Sequence, residues 1–175
     1  PAVIELKDGR LLMHLRCQLG CGYRCWSEDG GICWSRPEPL PYAAGYTPHY
    51  LKRLPGGELL TIWTQVSRQE ILSGYHRHRL TCAVSHDEGQ TWENFKNLES
   101  LDDVTRVEPP PMGEGYDLMS GMVAIATRRM EMGERKPPDK KRYPRVDEGH
   151  WHVDYPSLTF TRDSRAVITY GVYGG

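Results

Sequence analysis

No run of apolar residues in this chain approaches the ~20 needed for a membrane-spanning helix, and no signal-like segment opens it. Surplus charge is also missing: Lys+Arg 22 against Asp+Glu 23 leaves a formal net charge of −1. Nothing global therefore directs the chain to nucleic acid or to an anionic membrane, and neither is expected as a partner. A fully paired disulfide framework is excluded by the odd count of five cysteines, Cys17, Cys21, Cys25, Cys33 and Cys82. Cys17-x3-Cys21-x3-Cys25 departs from the Cys-x2-Cys spacing of metal sites, and no His completes it nearby. Isolated thiols are the simpler reading, with a pair across one turn, Cys25 and Cys33, left open. No metal and no other cofactor is expected. The first residue is Pro1 rather than Met, and 1–6 reads as a strand from mid-domain. The chain is therefore expected to be a fragment, which leaves its compartment unassigned.

What the sequence does have is turn-forming and β-forming residues. Its 175 residues suffice for one domain with a real core. Gly 18 with Pro 13, and Tyr 10 with Trp 5, suit a turn-rich β protein better than a helical bundle. The organising stretch is Ser85-His86-Asp87-Glu88-Gly89-Gln90-Thr91-Trp92, of the form Ser-x-Asp-x-Gly-x-Thr-Trp. A near copy stands upstream as Ser27-Glu28-Asp29-Gly30-Gly31-Ile32-Cys33-Trp34. Each follows a strand-like run, 23–26 and 80–84. The Asp folds its carboxylate back onto following N–H groups, the Gly supplies a positive φ, and the Trp packs the returning strand. Two copies in matching contexts make a repeat.

Around these turns the same pattern recurs. Strand 3–6, turn 7–9 and strand 10–16 lead to strand 23–26 and a return at 32–34. A Pro-rich connection over 36–48 follows. Strand 49–54, turn 55–57 and strand 58–64 then lead to 79–84 and a return at 91–95. A third unit runs 155–160, turns at 162–165 and continues over 166–170. Four short strands in ~50 residues make the unit of a β-propeller blade. The fold class read here is all-β, a partial propeller of about three blades forming one domain over 1–175. A two-sheet sandwich is the alternative, and it leaves the repeat unexplained.

Residues 100–151 break the pattern and are expected to be an insertion, with a degenerate extra blade as the alternative. Inside it, Met119, Met122, Val123, Ala126 and Met130 share a 3.6-period face over 117–133. Gly121 interrupts that face, and 122–127 serves equally as a strand. The charged, Pro-containing stretch 134–145 reads as an exposed loop.

Three stretches resemble the sialidase (neuraminidase) superfamily, six-bladed propellers named for their Asp-box repeats. Residues 1–16 resemble the segment in which a catalytic Glu precedes a strand–Asp-Gly–strand unit ending in a substrate-binding Arg. Arg77-His78-Arg79-Leu80-Thr81-Cys82-Ala83-Val84-Ser85 resembles the segment with another substrate-binding Arg ahead of an Asp box. Tyr155-Pro156-Ser157-Leu158 resembles the segment of the nucleophilic tyrosine. The resemblance implies that Arg16 and Arg77 bind a sugar carboxylate and that Tyr155 is the nucleophile. It places the catalytic Glu just before Pro1, and a further Arg and the acid/base Asp on earlier blades. By the same resemblance Ser27, Asp29, Gly31 and Trp34, with Ser85, Asp87, Gly89 and Trp92, are structural and lie away from the pocket.

These residue types fit one chemistry. A carboxylate on the anomeric carbon calls for guanidinium groups, which bind it in bidentate fashion. The same carboxylate repels an Asp or Glu nucleophile, whereas a phenol deprotonated by a neighbouring Glu avoids the clash. Position alone leaves other readings open: Arg16 covering apolar surface, Tyr155 as a core aromatic, and Arg79 in place of Arg77, since strand alternation would put both on one face. Glu5 reads as a solvated or turn-supporting carboxylate, and His76, His78, His150 and His152 as scattered surface imidazoles. The expected activity is exo-cleavage of sialic acid or a related anionic sugar, with a sialoglycan or similar anionic glycan as partner. A non-catalytic propeller that binds glycan or protein is the alternative, because Asp boxes report fold rather than activity.

Overall fold

The computed structural model describes residues 1–17, 20–67, 70, 77–100, 106–109 and 152–173. Blade 1 is the antiparallel meander β1 (Ala2–Glu5), β2 (Leu11–Leu15), β3 (Cys21–Ser27) and β4 (Glu38–Ala43). Blade 2 repeats it with β5 (Tyr50–Arg53), β6 (Leu59–Thr64), β7 (Leu80–Ser85) and β8 (Glu93–Glu99). The hairpin of β9 (His152–Phe160) and β10 (Ala166–Tyr173) forms a third sheet. The fold is an all-β partial propeller. Among the described residues no helix is long and apolar enough to cross a membrane.

One turn design opens all three sheets. Between β1 and β2, Leu6 N–H donates to Arg10 O at 2.8 Å and Gly9 N–H to Leu6 O at 3.0 Å. Leu54, Gly57 and Glu58 repeat this between β5 and β6, and Thr161, Ser164 and Arg165 between β9 and β10. The design needs a left-handed residue, supplied by Gly9 (φ 86°), Gly57 (φ 99°) and Ser164 (φ 62°).

Every residue of β6 is buried, because blade 2 has a neighbour on each face. Strand alternation then splits its side chains. Leu59 and Trp63 join Leu12, Leu40, Tyr42 and Trp92 in the core shared with blade 1. Leu60 and Ile62 join Val153 and Leu158 in the core shared with the third sheet. Trp63 stacks on Tyr42 with ring centroids 4.1 Å apart, and its indole N–H donates to Ala43 O at 2.8 Å.

Two expectations need correction. Residues 36–48 are not merely a connection, since β4 runs through Pro39 and Pro41. A strand at the edge of its sheet has one row of N–H groups with no ladder partner, so proline is tolerated there. The return strands also start later than 32–34 and 91–95. Cys33 N–H and Thr91 N–H donate to Asp29 and Asp87, each at 2.8 Å, which takes those residues out of the ladder. The thiol pair left open across the first turn does not form: Cys25 is buried, Cys33 is exposed, and no disulfide joins them. The expected insertion lies outside the described residues except for 100 and 106–109, as do 117–133 and 134–145.

Candidate functional site

The strand register separates the two ends of the blades. Ser27 pairs with Leu11 and Ser85 with Leu59, so both Asp boxes lie beside the tight hairpin turns. Arg16 follows the last residue of β2, at the opposite end. Leu80, which opens β7, pairs with Thr64, the last residue of β6, so Arg77 lies at that opposite end too. Tyr155 sits near the start of β9, again away from its hairpin turn.

Tyr155 occupies an irregular position. Asp154 pairs with Gly171 and Ser157 with Thr169, so Tyr155 and Pro156 together oppose Tyr170 alone. This is a β-bulge, and it shifts the alternation so that Val153 and Leu158 both reach the core. Tyr155 itself has φ 49° and is 62% exposed. A bulky residue in the left-handed region is strained, and such strain gathers where a side chain must be aimed.

Arg77 is tied to the same strand, because Val153 N–H donates to Arg77 O at 2.6 Å. Burial foremost pushes its guanidinium below the usual arginine value; Tyr155 opposes that shift and the positive charge of Arg16 adds to it. Arg16 and Tyr155 thus both act on Arg77, although the three come from three different sheets. Arg16 is exposed, and its guanidinium carbon lies 4.6 Å from the centroid of the Tyr46 ring.

Arg79 has a different environment. It is 6% exposed and donates through Nη2 to Glu70 Oε1 at 3.0 Å. Ser67 N–H donates to Glu70 Oε2 at 2.6 Å, and His78 Nε2 lies 3.0 Å from Oε1. Burial alone would raise the Glu70 carboxyl, but the hydrogen bonds from His78, Arg79 and Ser67 hold it well below the usual carboxylate range. His78 is accordingly not a surface imidazole. Both Arg77 and Arg79 precede β7, so strand alternation does not relate them. Glu70 and Tyr46 were not legible as partners, since neither stands in a motif and each meets its arginine only through folding.

The Asp boxes are built as self-contained turns. Ser27 Oγ donates to Asp29 Oδ1 and accepts from Gly31 N–H, each at 2.8 Å, and Trp34 Nε1 donates to Gly31 O at 2.9 Å. Ser85 Oγ bonds Asp87 Oδ1 and Gly89 N–H at the same distances, and Thr91 Oγ1 donates to Asp87 Oδ2 at 2.5 Å. Hydrogen bonds, led by that from Cys33 N–H, push Asp29 down to about 2. Among the described residues no group of three or more His, Cys, Asp or Glu side chains is placed to hold a metal ion.

Repeated blades, paired Asp boxes and a polar cluster at the far end are the marks of one class of propeller. The chain belongs to the BNR repeat-like domain family, whose model matches residues 1–168. Among solved structures it is similar to the α-L-arabinofuranosidase Arb93A from Fusarium graminearum, determined with an iminosugar inhibitor. That likeness has 16% identity and a TM-score of 0.54, covering 98% of this chain and 39% of the other. A protein of unknown function from Dyadobacter fermentans is also 16% identical, with a TM-score of 0.52 over 99% of this chain and 43% of its own. At these identities the likeness is one of fold. The chain spans less than half the length of either. No curated protein matches it significantly.

Proposed function

We propose that this chain is part of a glycoside hydrolase of sialidase type, acting on terminal sialic acid or a related anionic sugar. The observation that carries the reading is the electrostatic grouping of Arg16, Arg77 and Tyr155 at the blade end opposite the Asp boxes. Two cations brought together favour a bound carboxylate, since each gains from an anion what it loses to the other. An exposed phenol on a bulge beside them is in place to attack the anomeric carbon, with retention through a covalent glycosyl intermediate. The general base and the acid/base carboxyl of that chemistry are not assigned to residues of this chain. That a propeller of similar fold is an arabinofuranosidase supports the broader reading of a glycosidase, and leaves the sugar open.

The test is turnover of a fluorogenic sialoside and a fluorogenic glucuronide by the full-length protein and two variants. Tyr155→Phe is expected to lose turnover while retaining sugar binding. Arg77→Ala is expected to weaken binding by roughly 10- to 100-fold, the loss of a charge-assisted hydrogen-bonded contact. Unchanged turnover in both variants would remove these roles. Binding of either sugar acid without turnover in the unaltered protein would place it with the non-catalytic propellers.

A further inference from the structure

Arg16 is the exposed arginine of the cluster, and a long, exposed side chain near a second cation has every reason to swing away. What meets it is Tyr46, whose ring centroid lies 4.6 Å from the guanidinium carbon. Tyr46 is 47% exposed, so its ring is not held by burial in a core. Its loop is held instead by hydrogen bonds on both sides. Gly45 N–H donates to Thr64 O at 3.2 Å, and Thr64 Oγ1 donates to Thr47 Oγ1 at 2.5 Å. Ala44 N–H donates to Gly20 O at 2.9 Å. Thr64 ends β6 and pairs with Leu80 of β7, and Gln65 N–H donates to Arg79 O at 3.1 Å. The loop of Tyr46 is therefore fastened to the same frame that carries Arg77.

We propose that Tyr46 is a positioning residue for Arg16: fastened to blade 2, its ring holds a guanidinium of blade 1 within reach of Arg77, so that both grip one carboxylate. This rests on the sugar-acid reading above. The ring face attracts a cation without consuming the N–H donors that a carboxylate needs. A carboxylate in the place of Tyr46 would neutralise Arg16 and compete with the ligand. An aromatic ring orients the guanidinium and leaves its charge free to act.

The experiment measures dissociation constants of the full-length protein for two probes, the methyl α-glycoside of N-acetylneuraminic acid and methyl β-glucuronide. The variants are Tyr46→Phe, Tyr46→Leu, Arg16→Ala, Arg77→Ala and the double variant Arg16→Ala/Tyr46→Leu, each checked for an unchanged melting temperature. Tyr46→Phe keeps the ring and should bind as the unaltered protein does. Tyr46→Leu should weaken binding about two- to fivefold, the value of an exposed cation–ring contact. In the Arg16→Ala background the same change should have no further effect. Weakening by Arg16→Ala with none by Tyr46→Leu, or an equal effect of Tyr46→Leu in both backgrounds, overturns the positioning role alone. If Arg16→Ala and Arg77→Ala both leave binding unchanged, or the unaltered protein binds neither probe, the sugar-acid reading falls as well.

Discussion

The two Asp boxes have nearly the same internal hydrogen bonds and very different surroundings. In the first, Ile32 is 83% exposed and Cys33 is exposed; a Cβ on Gly31 would meet only Leu11 at 3.5 Å and Trp34 at 3.6 Å. The second is a seam between blades. Trp92 is 7% exposed within the shared core, a Cβ on Gly89 would meet Leu12 of blade 1 at 2.5 Å, and Arg24 of blade 1 donates to Gly89 O at 2.6 Å. Glu88, left-handed at φ 58°, accepts from Lys7 N–H at 2.8 Å and from Arg53 Nη1 and Nη2 at 2.8 and 2.9 Å. One motif thus serves as a turn in one place and as an inter-blade clamp in the other. Its energetic weight depends on what it is packed against.

The sharpest test of that contrast is deletion of the two indoles. Trp92→Ala should destabilise the fold by about 3–5 kcal/mol, the cost of a buried ring with its cavity. Trp34→Ala should cost less than half as much, and equal shifts in urea midpoint would break the comparison. Next come the glycines. Gly89→Ala adds an overpacked contact to left-handed strain, about 2–4 kcal/mol together, whereas Gly31→Ala carries the strain alone, about 1–2 kcal/mol.

Acid should weaken the seam through two buried histidines, one of them against Trp92. The rings of His14 and His49 are 5.8 Å apart, and His14 lies 5.4 Å from Trp92. Both are buried, and His14 Nε2 and both His49 ring nitrogens lack hydrogen-bond partners among the described residues. Burial pushes His49 down to about 3; burial first, then the charges of His49 and Arg24, hold His14 well below the ordinary 6.5. Only the unfolded chain therefore binds these protons near pH 6. The stability they contribute is present above pH 6.5 and is lost as pH falls below it, by about 2 kcal/mol for His49 at pH 5, with His14 acting in the same direction. Urea titrations from pH 7 to 5 should show this slope, and His49→Phe should reduce it.

The smallest effect belongs to the clamp carboxylate. Glu88→Gln should cost about 1 kcal/mol at neutral pH, since the pair is only partly withdrawn from water. The first box has Gly30 at the matching place, and Glu28→Gln, at its own exposed glutamate, should cost nothing measurable. The hydrogen bonds from Arg53 foremost lower Glu88 to about 2, so its contribution is present above its ordinary 4.5 and disappears as pH falls toward 2. A double-mutant cycle with Arg53→Met isolates the term.

Much of the fold was legible because its signals are local. The Lys7-Asp8-Gly9 and Pro55-Gly56-Gly57 turns and both Asp boxes are made within five or six residues, and each appears where its residue types demand. β4 was not legible, because Pro39 and Pro41 argue against a strand unless that strand is known to lie at an edge. At the site, Arg16, Arg77 and Tyr155 stand out through a family resemblance, whereas the Glu70–Arg79 pair that separates one arginine from the other joins two stretches with no common motif. Tyr46 carried no signal at all.

By itself the sequence determined the repeating strands, the turn geometry and the hydrogen-bond plan inside each Asp box, because those interactions close over a few residues of backbone. Only the tertiary structure decided which box became a seam, which side chains met Glu70, and that Arg16 and Tyr155 came to act on Arg77. Those outcomes depend on the surface a neighbouring blade brings opposite, and burial and charge proximity are properties of that pairing rather than of any single stretch.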